Sequence, residues 1–385
     1  MIRRTVVHPS VRGALVVSLM TLFVACASCA AGTSPDGSVF KVRSIQNIRD
    51  YAKSVDWSQA NGLIASAKLG DDGYFDVMVL DPDSDWEQCL TCNKSGIPQK
   101  HIGNPCWHPS GEYIVFTAEK ADVPDMYDYF AIPGKGLNND LYIMTSDGST
   151  FWKLHEVDYS VDESAKGVIH PQFSHDGSML LWAERLGADT DERHNFGEWA
   201  LKLSDFAIAD GEPYVSNIRT IQPGGQAQFY ETHAFSPDDA KVLFCGNLIS
   251  GQLPTGMDIY EYSIADGTLR QLTVTYDDWD EHAHYSPDGT VIAWMSSTGF
   301  YIEYDDIDRW ADDLITELWI MNADGSEKTR LTHFNDPGYP EHTGTRTIVS
   351  DSSWSPEGDR LIMAVTYEDN RGRLRYRELV MIELQ

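Results

Sequence analysis

Ala283 to Ser296 reads AHYSPDGTVIAWMS, and this stretch decides the fold because the chain keeps repeating it. The same template stands at Pro105 (PCWHPSGEYIVFTAE), Pro171 (PQFSHDGSMLLWAE), His233 (HAFSPDDAKVLFCG) and Ser352 (SSWSPEGDRLIMAV), with a degenerate copy at Ser54 (SVDWSQANGLIASA). In each copy an aromatic residue closes a short strand, a Ser-Pro-Asp-Gly turn reverses the chain, and an apolar strand follows. Proline presets φ for such a turn, and glycine accepts the left-handed conformation that other residues resist. The turn positions Gly62, Gly111, Gly177, Asp239, Gly289 and Gly358 lie 49, 66, 62, 50 and 69 residues apart. A recurrence at that spacing is the mark of a repeat architecture.

Each unit also carries a second hairpin. Leu141 to Met144 and Phe151 to Leu154 flank Asp147-Gly148, and Asp266-Gly267 and Asp324-Gly325 sit in equivalent places. Asp-Gly between apolar runs signals a tight hairpin. Four antiparallel strands per unit and six units predict an all-β, six-bladed β-propeller over residues 39–385. Leu379 to Leu384 then reads as a third strand with no fourth after it, and Val39 to Arg43 as a strand with no partner. Pairing the two completes the last blade and removes an open sheet edge.

The segment before the repeats reads as a leader. Arg3, Arg4 and Arg12 precede the apolar run Gly13 to Ala25, which is short for a membrane span. Residues 1–25 are expected to be a signal peptide of lipoprotein type, with Cys26 the lipidated residue and 26–38 a tether. Cys29 and its small neighbours leave ordinary signal-peptidase cleavage open. Either route places the chain in the periplasm, at the outer membrane or cell surface, or outside the cell, with membrane contact only through the lipid anchor.

The net charge is −30, and removing three leader arginines takes it to −33. Binding nucleic acid needs a basic face, so a nucleic-acid partner is excluded. The same charge favours divalent cations. Cys89 and Cys92 form a CxxC without a second copy, which in an exported chain fits a local disulfide better than a zinc site.

The SPDG turn, the Ala323-Asp-Gly-Ser326 hairpin and the Leu331-Thr332 ending resemble the TolB-like propeller repeat. That resemblance implies the fold and leaves the function open, since the repeat serves binding proteins and enzymes alike. Similar repeats precede the hydrolase domain of prolyl-oligopeptidase-like enzymes, but no GxSxG occurs here.

Two features carry candidate chemistry. Three long loops, Glu119 to Asn139, Leu186 to Glu198 and Phe300 to Asp313, interrupt blades 2, 3 and 5 and are rich in aromatics and acids. Tyr127, Tyr129, Phe130, Trp199, Tyr301, Tyr304 and Trp310 are the expected binding residues, for a carbohydrate, a peptide or an envelope protein. The second feature is a ring of residues just before the inner strands: Asn104, His170, Thr232-His233, His282 with His284, and Asp351, with Glu231 and Glu281 immediately upstream. Imidazoles and carboxylates converging on one axis suit a divalent ion (manganese, calcium or zinc) or acid–base catalysis. His170, His233, His282 and His284 are the candidate ligands, and the first three the candidate catalytic groups.

His170-Pro171-Gln172-Phe173 and the later channel histidines are similar to oligogalacturonate lyases, propeller enzymes that hold a divalent metal with channel histidines. The similarity implies a metal-dependent, polysaccharide-degrading alternative to a binding role. It requires a locally positive mouth, for which Lys166, Arg185, Arg193 and Arg346 are the basic residues to consider. The acidic runs at Asp81–Asp85, Asp277-Asp278 and Asp305–Asp308 read as solvated turns, with bound cations the lesser expectation.

Overall fold

The structure is a computed structural model. It describes residues 40–385 apart from 52, 189–192, 226–227 and 370–372. The expected leader, the lipidation at Cys26 and the tether therefore lie outside the described residues. Among those described, no helix is long and apolar enough to cross a membrane.

Six four-stranded antiparallel sheets form the six blades of a propeller. Their inner strands are Val55–Trp57, Ile102–Trp107, Gly167–Phe173, Tyr230–Phe235, Asp280–Tyr285 and Arg346–Trp354. The Ser-Pro-Asp-Gly chemistry is visible at the corner of blade 5. Ser286 Oγ donates to Asp288 Oδ1 at 2.6 Å, that carboxylate accepts from Thr290 N at 3.0 Å, and Gly289 sits at φ +70°. In blade 4, Asp239 takes the glycine's place at φ +56°. Its carboxylate accepts from the backbone N–H groups of His175 and Asp176 at 2.7 and 2.9 Å, stitching blade 3 to blade 4.

Blades stack face to face, so second and third strands are buried on both sides and lose the alternation of a half-exposed sheet. Trp182 and Trp294 lie on second strands and are almost wholly buried. Each such side chain contributes on the order of 2–3 kcal/mol through burial alone.

The ring closes as expected, with a shift in the bounds. The fourth strand of the last blade is Val42–Arg49, not residues 39–43, and it pairs antiparallel with Leu374–Leu384, Ile45 opposite Ile382. Phe40, Val42 and Ile45 pack against the last blade's core, while Ile48 and Tyr51 pack where the last blade meets the first. That apolar docking displaces the strand toward its C-terminal half.

Five inner strands share one irregularity. Their pairing with the second strand slips at Gly103/Cys106, Ile169/Gln172, Thr232/Ala234, Glu281/His284 and Val349/Ser352. A β-bulge at each of these points breaks the strict two-residue alternation and re-aims side chains at the axis. At three of them a non-glycine residue sits in the left-handed region: Asn104 at φ +48°, His170 at +44° and His282 at +53°. Such conformations cost of order 1–3 kcal/mol and collect at functional sites.

Candidate active site at the channel mouth

The bulges deliver a cluster of ionisable groups to one mouth of the channel. His170, Glu231 and His282 each offer a ligand atom, all within 4.8 Å of one another and all buried. The rings of His170 and His282 stand edge to face with centroids 4.9 Å apart. Nδ1 of His170 is in ion-pair contact with Oε1 of Glu231, without hydrogen-bond geometry. Thr232 fixes the backbone here, its Oγ1 donating to the carbonyl of His170 at 2.5 Å.

Glu281 and Asp351 flank this trio. Oε2 of Glu281 lies 3.4 Å from His282 Nε2 and accepts from Trp279 Nε1 at 2.9 Å. Oδ1 of Asp351 lies 3.7 Å from His282 Nδ1 and 3.6 Å from His284 Nε2, while its Oδ2 accepts from Val55 N at 2.9 Å. His233 sits deeper, its ring 5.7 Å from that of His282, and neither of its buried nitrogens has a hydrogen-bond partner.

The electrostatics describe acids and imidazoles buried without enough positive charge. Burial raises Glu231 to about 8 and pushes Glu281 well above the carboxylate range, the nearby Glu231 adding to the effect. Burial lowers His170, lowers His282 to about 3 and drives His233 well down. Burial would raise Asp351 too, but the imidazoles of His284, His282 and His170 outweigh it and hold it at about 2. Neutral imidazoles beside carboxyls that need a counter-charge make a donor set that suits a borderline divalent cation.

Above the trio opens a cavity of about 1220 Å³. Tyr127, Tyr129, Phe130, Trp199 and Trp310 line it, with Phe196, Phe229 and Trp279. Two of the expected binding residues do not. Tyr301 is 91% exposed beyond the rim, and Tyr304 packs against the blade core. The blade-5 loop folds its Ile307–Asp312 turn over the mouth and leaves those two tyrosines outside it. His233 and His284 likewise do not line the cavity but sit below its floor.

Of the four basic residues expected at the mouth, Arg185 alone lines the cavity. Lys166 pairs with Asp158 at 2.6 Å, and Arg346 pairs with Glu368. Arg193 donates to the carbonyl of Gly251, away from the cavity lining. Arg185 does line the wall, where it donates to the carbonyls of Phe196 and Glu163, both at 3.1 Å. Lys53, Lys135, Arg309 and Arg377 also face the cavity. Burial and the nearby Arg377 lower Lys53 to about 8; burial and the nearby Lys53 lower Lys135 to about 7. The ammonium of Lys135 stands 3.5 Å from the centre of the Tyr129 ring.

The remaining motifs have structural roles. Cys89 and Cys92 are disulfide-bonded at the edge of blade 1. Asp81 caps its own turn by accepting from Asp83 N at 3.0 Å and Ser84 Oγ at 2.7 Å.

Among known proteins, the structure of a putative TolB from Agrobacterium tumefaciens superimposes with a TM-score of 0.51 at 16% identity, covering 84% of this chain and 96% of that one. The fold is that of a TolB-like propeller. TolB from Acinetobacter baumannii (TM-score 0.45, 14% identity, 84% of this chain, 62% of that one) is similar at a lower level. An oligogalacturonate lyase from Vibrio parahaemolyticus stands at the same level (0.45, 13%, 88% and 91%). At these identities the likeness is one of fold. No protein-family model matches the chain. A stretch of 92 residues is 28% identical to dipeptidyl-peptidase 5 of Porphyromonas gingivalis, spanning 23% of this chain and 13% of that protein.

Proposed function

We propose that this TolB-like propeller binds a divalent cation through His170, Glu231 and His282 and uses it to act on a carboxylate-bearing carbohydrate in the cavity above. The observation that carries this reading is the buried trio with ligand atoms within 4.8 Å, one nitrogen of which has no other hydrogen-bond partner. Bound there, a divalent ion supplies Lewis-acid polarisation of a carboxylate or carbonyl oxygen. The protein's own residues do the rest. Among the described residues, Lys53 and Lys135 form no ion pair, and they offer charge to an anionic group. The wall aromatics offer flat faces on which sugar rings stack. Lys53, with an amine near 8, is able to accept or return a proton close to neutral pH.

The test is elemental analysis of the mature domain purified without chelator. About one equivalent of manganese, zinc or calcium, lost in His282→Ala, supports the reading and leads to a screen of uronic-acid oligosaccharides for unsaturated products. No ion above background, even after incubation with each metal, overturns it.

A second reading, recognition of a peptide or envelope protein across the same face, is favoured by apolar rim residues. Met126 is 79% exposed and Phe130 46%, beside Tyr129 on the blade-2 loop. Export and lipidation at Cys26 stay part of the proposal on sequence grounds. Radiolabelled palmitate incorporated by the wild type and not by Cys26→Ala is the expected result.

A further inference from the structure

The floor of the cavity holds a second set of ligand atoms that shares one residue with the first. A carboxylate oxygen of Glu231, Sγ of Cys245 and a carboxylate oxygen of Glu281 lie within 4.8 Å of one another, all buried. The fold assembles them from two blades. Glu231 and Cys245 are direct cross-strand partners in blade 4, so their side chains stand on the same face. Asp280 N donates to the carbonyl of Met257 at 3.0 Å, which brings the start of blade 5, and Glu281 with it, against blade 4.

The same contact positions Met257, whose Sδ lies 3.2 Å from Cys245 Sγ. Cys245 is a free cysteine with no exposure, and Met257 is equally buried. Two carboxylates and a thiol, with a thioether against the thiol, form a donor set softer than the His170, Glu231 and His282 trio. Independently, Nδ1 of His170 contacts Oε1 of Glu231. Glu231 is thus within reach of a nitrogen donor of His170 and of the sulfur of Cys245.

We infer that Glu231 is a bridging carboxylate and that the floor takes two cations: an outer ion shared with His170 and His282, and an inner thiophilic ion held by Glu281, Cys245 and Met257. The inference depends on the proposed function only through Glu231. Uptake of the inner ion replaces the thiol proton, and the protons held on Glu231 and Glu281, with metal–ligand bonds and releases those protons to solvent. A sulfur-bearing site tethering blades 4 and 5 would be held by Glu281 and Cys245 and would orient Glu231 toward the outer ion. The competing account is a buried thiol serving as a small apolar side chain, which is how most buried cysteines behave.

The experiment loads the whole mature domain with cobalt(II), dialyses it, and reads both stoichiometry and the thiolate-to-cobalt charge-transfer absorption. Two equivalents with that absorption are expected for the wild type. Cys245→Ser should fall to about one equivalent and lose the absorption, whereas His282→Ala should keep the absorption and lose the other ion. Should Cys245→Ser fail to fold, Met257→Leu, close in volume, serves instead and should weaken retention of the sulfur-bound ion at least tenfold. A single equivalent without charge-transfer absorption, lost in His282→Ala, overturns the inner site and leaves the proposed function standing. An absorption that survives Cys245→Ser also overturns it, because the sulfur would then belong to another cysteine. A sulfur-bound ion that is alone in the wild type and survives His282→Ala overturns the proposed function and supports an inner site without a partner ion.

Discussion

Glu231 should make the stability of the metal-free protein depend on pH. In the folded chain its carboxyl titrates at about 8, against 4.5 when exposed. Between those values the native state holds a proton that the unfolded chain has released, so stability falls as pH rises through that window and levels off above it. A displacement from 4.5 to about 8 is worth about 5 kcal/mol at the full width of the window, at 1.36 kcal/mol per pH unit. For a domain of about 350 residues the unfolding entropy is about 0.7 kcal/mol/K, so the loss corresponds to a fall in Tm of about 7 °C. Asp56 and Asp280, both raised by burial to about 6, slope the same way over a narrower range. The informative quantity is therefore the difference between wild type and Glu231→Gln, measured by calorimetry from pH 5 to 8.5 after chelation. Glu281, also raised by burial, slopes the same way, so Glu231→Gln should lose part of the slope above pH 6. Adding the cation should restore Tm increasingly as pH rises, because the ion requires the ionised carboxylate. A Glu231→Gln variant with the full wild-type slope, or a metal-induced gain that is flat from pH 6 to 8, would refute the reasoning.

Ile45→Asp, in the closing strand, should cost about 3 kcal/mol and about 4 °C in Tm, with increased aggregation as the last blade's edge opens. Reducing the Cys89–Cys92 disulfide, which spans two intervening residues, should cost no more than about 2 kcal/mol, less than about 3 °C, by thermal scan with and without reductant. Tyr129→Ala, which removes the ring under Lys135, should weaken binding of a uronic-acid oligosaccharide about tenfold with Tm unchanged, in keeping with about 1–2 kcal/mol for such contacts. Excising residues 121–136 should instead destabilise the fold. The segment buries Val123 and Ala131 and supplies Asp125 and Asp128 to the Lys100 ammonium at 3.2 and 3.0 Å.

The fold was legible because its signal is redundant. Six copies of an aromatic, a tight turn and an apolar strand report the same four-stranded unit, and no single residue has to be read correctly. Even the degenerate Ser54 copy, without its Ser-Pro-Asp, folds as blade 1. Side chains that meet across the axis carry no such redundancy. Lys53, Lys135 and Arg377 lie in blades 1, 2 and 6, in an early coil, a long loop and a third strand respectively, and converge only once the ring is closed. Charge density along the chain could not locate them, because a basic group facing a cavity and one paired at the surface look alike in sequence. Lys166, paired with Asp158, illustrates the second case.

The assignment of ligands turns on one step of register. Counted back from the aromatic that ends each inner strand, His170, His282 and Asp351 stand three residues away, and Lys53, Glu231 and Glu281 four. His233 stands two away and His284 one. A regular strand would send adjacent positions to opposite faces, so His282 and Glu281 could not both reach the axis. The bulges remove that restriction, and the three-back and four-back levels together form the floor of the cavity. His233 belongs to the next level down, which is why Glu231 takes its place in the trio although histidine is the more familiar ligand. The count was available in the sequence, but its meaning was not. Only the left-handed backbone at His170 and His282 makes consecutive positions share a face, and because such strain collects at functional sites the proposed ligands are sought on the floor and not in the packed blades.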